Sequence, residues 1–486
     1  MVDSLSLQDS IVESSHRLYS SLPAHGKPLI RSNGVQEWTI LSTISLVIPG
    51  TSPKVFPISL GTGVKCLPYS KLSEYGDTLH DCHAEIIARR GFLRWLLWQT
   101  GIYLRSQRGE TTGEDVFVEM NDQGKLKLRD GLEVWLYISM LPCGDASTYY
   151  TSAHQSAEDA SQWQEADSTL TGSTDQGSIG VVRGRNGYTS LSTLRTKPGR
   201  PDSIPSISMS CSDKIASWSV LGIQGGLLAN LFEPIYLDGI IVGGVEFPLT
   251  CSDEDEWESK IRGELERSLW GRLESIQGHL PSPYRLHRAS VHLTPRPFEH
   301  SKTTIVKTSS VDTVEPSPSP LSISHLPFLP PSNPRKGIKP EIITDGGLLG
   351  HPWKKGVLTR DKGRSRICKL SLLKEYEKVL QSSPNGGTHK SIEDGGSTYY
   401  ECKHLHQTSY QLAKKILRGI PTSSKSIKGL EKFEAILSTA SSHTNGTDKS
   451  GTSPPPPLPP FRGWLVSGER FESVTSSGHI YIDRII

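Results

Sequence analysis

No apolar run in this 486-residue chain approaches the roughly 20 residues that a bilayer-spanning helix needs. The opening Met1-Val2-Asp3-Ser4-Leu5 also lacks the basic-then-apolar order of a secretory leader. These absences predict a soluble, intracellular protein, nuclear or cytoplasmic, with no membrane attachment. A disulfide framework is missing too: seven cysteines stand singly at 66, 82, 143, 211, 251, 368 and 402. An odd, scattered set suits a reducing compartment in which a few thiols bind metal. There is no Cys-x-x-Cys pair and no internal repeat. Net charge is small, +2, but it hides an asymmetry: residues 301–486 hold 26 Lys and Arg against 16 Asp and Glu, or +10, leaving −8 for residues 1–300. A basic C-terminal third points to contact with a polyanion.

What is present suffices for a core, with 35% hydrophobic residues and ten Trp. The 33 prolines signal long unpacked connections. The expected organisation is one domain over 1–486, broken by a disordered insertion at 151–190 rich in Ser, Thr, Gly and acids. A Pro/Ser-rich insertion at 300–340 and a Pro-rich linker at 437–460 complete the set.

Local patterns predict a helix over 9–22, starting at Asp9 and ended by Pro23, and a hairpin of strands across 37–48 and 55–60. A glycine-containing turn follows over 61–66. From His83 the apolar spacing becomes helical, with Ile86, Ile87, Leu93, Leu96 and Leu97 on one side. Residues 132–140 read as a buried strand that delivers Cys143 onto the start of a helix. A second helix is expected from Lys214 to about Leu231, interrupted at Gly225-Gly226, then a strand over 240–245. Basic amphipathic segments lie at 367–380, 410–417 and 430–437.

His83-Ala84-Glu85, at the predicted helix start, is the first half of a metal-dependent deaminase constellation. In that chemistry one His and two thiolates hold zinc, and a nearby Glu carries protons without binding the metal. Pro142-Cys143 supplies the second half. Position 146 is Ala, so the last thiolate must come from elsewhere, and Cys211 stands at another strand-to-helix junction.

Three segments, Asp81-Cys82-His83-Ala84-Glu85-Ile86-Ile87-Ala88-Arg89-Arg90, Pro142-Cys143-Gly144-Asp145-Ala146 and Ser210-Cys211-Ser212-Asp213-Lys214-Ile215, together resemble the adenosine-to-inosine RNA deaminase (editase) family. In that family the second zinc cysteine also lies far along the chain. The tRNA-acting branch is the nearer likeness: no separate RNA-binding domain is apparent, and Lys197-Pro198-Gly199-Arg200-Pro201-Asp202 stands where duplex-editing members carry a Glu between glycines.

The resemblance implies a three-layer α/β/α, cytidine-deaminase-like core with added C-terminal helices. It implies zinc-dependent hydrolytic deamination of the adenosine next to the anticodon of alanine tRNA, with no obligate protein partner. The rival expectations are editing of other structured RNA and a catalytically idle RNA-binding protein. By the same resemblance His83, Cys143 and Cys211 bind zinc and Glu85 is catalytic, while Val64 and Lys65 line the target nucleotide's pocket. Inositol hexakisphosphate is the implied buried cofactor, held by Arg89, Arg90, Lys214, Lys403, Tyr410, Lys414 and Trp464, with Lys362 and Trp218 as further candidates. Asp81, Lys197 and Gln224 match a polar relay between that anion and the metal. Ser217 and Gly226 stand where editing members have an Arg and a hydroxyl residue, so some contacts must differ.

Overall fold

The computed structural model describes residues 6–110, 113, 115–154, 181–185, 190–199, 203–248, 251–308, 315–330, 338–351, 353–382, 397–404, 408–419 and 457–481. Its centre is an eight-stranded sheet made of β1 (Leu41–Ile48), β2 (Lys54–Thr62), β3 (Glu133–Ile138), β4 (Gly239–Val242), β5 (Ser290–Leu293), β6 (Ser322–His325), β7 (Glu341–Thr344) and β8 (Gly347–Leu348). The spatial order is β5-β4-β3-β1-β2-β6-β7-β8. The β3, β4 and β5 strands run parallel, and every other neighbouring pair is antiparallel.

Side chains alternate across the sheet, as a strand's period of two requires. Val134, Leu136 and Ile138 of β3 join the larger core, while Trp135 and Tyr137 join a second cluster on the opposite face. That second face is covered by α1 (Leu7–Ser20), which contributes Ile11, Val12 and Tyr19. The larger core lies under α2 (Ala84–Gln107), α3 (Cys211–Leu221), α4 (Glu254–Leu269) and α5 (Lys369–Gln381). The result is three layers, helix on sheet on helix.

The position of α2 is set by a glycine. A Cβ on Gly61 of β2 would meet the Ala84 carbonyl oxygen at 2.4 Å and the Ala88 nitrogen at 2.7 Å. Only hydrogen at that position lets the first turns of α2 lie flat on the sheet. Small C-terminal helices, α6 (Tyr399–Lys403) and α7 (Ser409–Arg418), pack beside α3 and α5. Tyr410, Ala413 and Leu417 of α7 form its buried stripe against Ala216 and Val220 of α3.

Several local expectations change. The first helix begins at Leu7, because Ser6 caps it by accepting from the Asp9 amide. His83 is the cap of α2 and the last residue of a short strand, Asp81–His83, rather than a member of the helix. Residues 61–66 are mostly extended: β2 runs to Thr62 and a further strand covers Val64–Cys66. The predicted 214–231 helix starts at Cys211 and breaks at Gly222–Gln224, resuming over Gly225–Leu228. The stretch 300–340 is not one unstructured insertion, since it contains the helix Lys302–Thr308 and the central strand β6. Of the other two segments, 155–180, 186–189 and 437–456 lie outside the described residues, as does the amphipathic segment 430–437.

Replacing Gly61 with Val should overpack the α2–sheet contact and cost about 2 kcal/mol or more. Urea unfolding of the variant should show a lowered midpoint with an unchanged slope.

Candidate metal centre and the cationic cavity behind it

Three chain segments meet at the start of α2. His83 ends a strand paired antiparallel with Val64–Cys66, which sets Val64 opposite His83 and Lys65 opposite Cys82. Cys143 follows β3, in a loop that turns sharply at Gly144, whose φ of +103° excludes most side chains. A Cβ there would also meet Ser210 Oγ at 2.2 Å, so the glycine allows the Cys143 loop to touch the start of α3. Cys211 is the first residue of α3, capped by Ser210 through the Asp213 amide. Ser212 ties the two cysteine segments together: its amide and hydroxyl donate to the Cys143 carbonyl at 3.0 and 2.8 Å.

The three donor atoms lie within 4.8 Å of one another. His83 Nδ1 is 3.9 Å from Cys143 Sγ and 3.6 Å from Cys211 Sγ. A tetrahedral zinc with its usual Zn–N and Zn–S bonds needs N-to-S edges of about 3.6 Å. Both the spacing and the donor chemistry, one imidazole and two sulfurs, therefore fit zinc with one position left open. The Cys211 amide points at Cys143 Sγ from 3.4 Å, where the helix N-terminus favours negative charge. A hydrogen bond from Cys211 holds the Cys143 thiol well below its ordinary range, while burial pushes Cys211 up. A divalent cation bound there would favour the thiolate form of both sulfurs.

Glu85, one residue into α2, is buried, and its Oε2 has no hydrogen-bond partner. Burial raises its pKa from the usual carboxylate value. A buried carboxylate with one oxygen unpartnered, beside a set of donors that fits a metal, can take up and give back a proton.

Behind the sulfurs lies a network of charges. Lys197 Nζ is 2.7 Å from Asp81 Oδ2 and 3.1 Å from Cys211 Sγ. Lys214 donates to the same Asp81 oxygen, and Asp81 Oδ1 accepts from the His83 amide at 3.1 Å. Burial opposes charge on Asp81, but Lys197 and Lys214 outweigh it and hold the carboxyl well below its usual range. Burial likewise opposes charge on Lys197, and Asp81 with the cysteines keeps it protonated.

Asp81 and Lys214 also line a cavity of about 1880 Å³. None of His83, Glu85, Cys143 or Cys211 lines it, so this space is separate from the metal centre. Nine Lys and Arg side chains face it, against the carboxylates of Asp81, Glu469 and Glu472. Burial lowers Arg89 to about 10 and Lys369 to about 8, and burial with Lys403 and Arg418 nearby drives Lys414 well down. Arg90 Nη2 and Arg418 Nε are buried with no hydrogen-bond partner. Such a surplus of buried positive charge is costly unless an anion fills the space.

Arg89, Arg90, Lys214, Lys403, Tyr410, Lys414 and Trp464 all line this one cavity, and so does Trp218. Lys362 does not; it is exposed on a short turn of helix over Asp361–Gly363. Gln224 reaches the cavity wall, but its amide group bonds main chain, donating to the Leu221 carbonyl and accepting from the Ile235 amide. It does not join the Asp81–Lys197 contact. The departures hold in place: Ser217 and Gly226 also line the cavity. Residues 200–202 lie outside the described set. Sequence reasoning passed over Arg418, Lys369 and Glu472, all buried in the cavity wall. Glu472 pairs with Lys403 at 2.6 Å and Lys369 at 3.3 Å.

A His/Cys/Cys set with an adjacent buried Glu, at the start of a helix laid across a mixed sheet, is the arrangement of a metal-dependent deaminase-type protein. Residues 59–425 match the adenosine-deaminase (editase) domain family, and the chain belongs to that family. It is 37% identical over 226 residues to tRNA-specific adenosine deaminase 1 of Schizosaccharomyces pombe, covering 46% of this chain and 54% of the relative. It is 36% identical over 267 residues to the Saccharomyces cerevisiae protein of that name, covering 54% and 62%. The Homo sapiens protein of that name is 27% identical over 518 aligned positions, covering 84% of this chain and 96% of the relative. The matched stretch thus spans little more than half the length of the two fungal relatives. No helix among the described residues is long and apolar enough to cross a membrane.

Replacing Asp81 with Asn should leave the buried Lys197 and the half-buried Lys214 without their counter-charge and cost about 3–5 kcal/mol. Chemical denaturation measures that loss, and zinc content should fall with it.

Proposed function

We propose that this chain hydrolytically deaminates adenosine to inosine in tRNA, at the position next to the anticodon, with alanine tRNA as the expected substrate. The observation that carries the reading is the buried Glu85 carboxylate, with Oε2 free of any hydrogen-bond partner, beside the His83, Cys143 and Cys211 donor set. The printed names of the relatives favour tRNA as the substrate class.

His83, Cys143 and Cys211 would hold the metal. Zinc, when bound there, supplies Lewis acidity that makes a water a competent nucleophile near neutral pH. Glu85 accepts a proton from the attacking water and returns it to the purine ring nitrogen, so that C6 becomes electrophilic as the oxygen adds. The carboxylate then takes the second proton from the added hydroxyl and delivers it to the departing amino group. The C6–N bond breaks, ammonia leaves and the oxygen stays on the ring. The raised pKa of Glu85 suits a group that must both take and give the proton. Lys197 keeps positive charge against Cys211 Sγ, steadying the thiolate.

Val64 and Lys65 sit on the strand facing His83 and Cys82 and would contact the target nucleotide. Valine has no hydroxyl to offer the sugar, so its contact is apolar. The base must leave its stack, which costs less from an anticodon loop than from a duplex.

The cationic cavity would hold inositol hexakisphosphate. Arg89, Arg90, Lys214, Lys403, Tyr410, Lys414 and Trp464 are the residues for it, and the unpartnered Arg90 Nη2 supports an anionic occupant. Asp81 and Lys197 would connect that site with the metal centre. Gln224 would act on the cavity wall by fixing the chain at Leu221 and Ile235.

Two experiments test this reading. Zinc-loaded protein incubated with total tRNA should produce inosine beside the anticodon of alanine tRNA and little in duplex RNA. Glu85→Ala should lower that activity by at least about a thousandfold with zinc retained, whereas Cys211→Ala should lose zinc. Full activity in Glu85→Ala sinks the mechanism; inosine in duplex RNA alone moves the substrate away from tRNA. Separately, protein from cells unable to make inositol polyphosphates should be unstable, with no phosphorus in elemental analysis. Normal stability in such a preparation would remove the cofactor.

A further inference from the structure

The guanidinium of Arg418 is the least explained group in the cavity wall. It projects from the last turn of α7, and burial lowers its pKa to about 10. One nitrogen, Nη2, donates to Ser217 Oγ on α3 at 2.7 Å, and its Cζ lies 3.8 Å from the centre of the Trp464 ring. Its Nε has no hydrogen-bond partner. No carboxylate pairs with it among the described residues, and Arg89 is a cationic neighbour that disfavours its charge further. A neutral hydroxyl and a ring face do not balance a buried guanidinium.

The placement is informative. Ser217 lies on the α3 wall of the cavity, and Arg418 reaches it from the C-terminal side. Position 418 lies one helical turn beyond Lys414 and two beyond Tyr410, so all three share a stripe of α7, as spacing of four residues requires. All three line the cavity. The stripe is therefore cationic where it meets the cavity, while Ala413 and Leu417 hold the helix to α3 by apolar contact.

We infer that Arg418 is an anion-binding residue that supplies, from α7, the positive charge that the α3 wall lacks at Ser217. The ligand class is a small, multiply phosphorylated anion, and the inference rests on the proposal that the cavity holds one. The guanidinium donates two or more charge-assisted hydrogen bonds to phosphate while Trp464 fixes its plane. The bound anion in turn clamps α7 onto the core, because Arg418 and Lys414 both lie on that helix.

The test exploits the short distance between the two positions. Full-length wild type, R418S, R418K and the charge swap S217R/R418S are purified from cells containing inositol polyphosphates. Phosphorus per chain is measured by elemental analysis, and thermal midpoints are measured with added inositol hexakisphosphate or inorganic phosphate. The expected result is that R418S retains the anion about tenfold more weakly or worse. R418K should be intermediate, and S217R/R418S should recover most of the wild-type phosphorus content and midpoint shift.

Wild-type phosphorus content in R418S overturns the assignment to Arg418 alone. So does a swap variant no better than R418S, because Arg418 would then act through packing on Trp464. An unfolded R418S is read through R418K and the swap, which keep the charge. Wild type with no phosphorus and no response to inositol hexakisphosphate overturns the cavity reading itself, whatever Arg418 does. A response to inorganic phosphate equal to that of inositol hexakisphosphate overturns the multiply phosphorylated class.

Discussion

Asp81 holds a negative charge inside the protein, and much of the surrounding structure exists to balance it. Its carboxylate binds two ammonium groups, Lys197 and Lys214, and fixes the backbone amide of His83. A charge alone would be costly in so buried a position; together they are retained because opposite charges face each other at hydrogen-bond distance. Lys197 passes the balance on to the sulfur of Cys211, and Lys214 passes it to the large cavity. A buried ion cluster of this kind contributes little net stability, but it fixes three separate segments in one geometry.

The sheet and α2 make that geometry possible. Gly61 lets α2 approach closely, so His83 and Glu85 lie at its beginning while Arg89 and Arg90 face the cavity one to two turns further on. One rigid element therefore serves both places. The cysteines arrive from two other elements, and Gly144 and Ser212 press their loops together. Precision here comes from backbone packing and helix caps, with no disulfide among the described cysteines.

Much of this was legible in the sequence, for identifiable reasons. His83 and Glu85 are two apart in the chain, Cys143 stands where an apolar strand gives way to a helical turn, and Cys211 opens a helix, although no strand immediately precedes it. Tyr410 and Lys414 show helical spacing, and the same stripe, extended one turn, leads to Arg418; the signal was present. Lys369 and Glu472 were missed because each stands among other charges in its own segment, and their pairing joins residues far apart in the chain. Gln224 entered the expected relay by resemblance alone, and its bonds to the main chain at Leu221 and Ile235 leave no trace in side-chain patterns. The strand β6 was hidden by composition. Its Ser322 packs where a Cβ on Gly63 would come within 2.0 Å of the Ser322 hydroxyl, and such a contact admits only a small residue. A core strand there resembles a linker in its amino acids.

The shared carboxylate of Asp81 has a thermodynamic consequence. Whatever changes its two lysines from the cavity side alters the field at Cys211, and whatever changes the charge on the sulfurs alters the field felt in the cavity. Linkage makes that exchange symmetrical: if an anion among the arginines strengthened the grip on a cation at the sulfurs by some factor, the cation would strengthen the grip on the anion by the same factor. Occupancy of either site would then raise occupancy of the other by that factor.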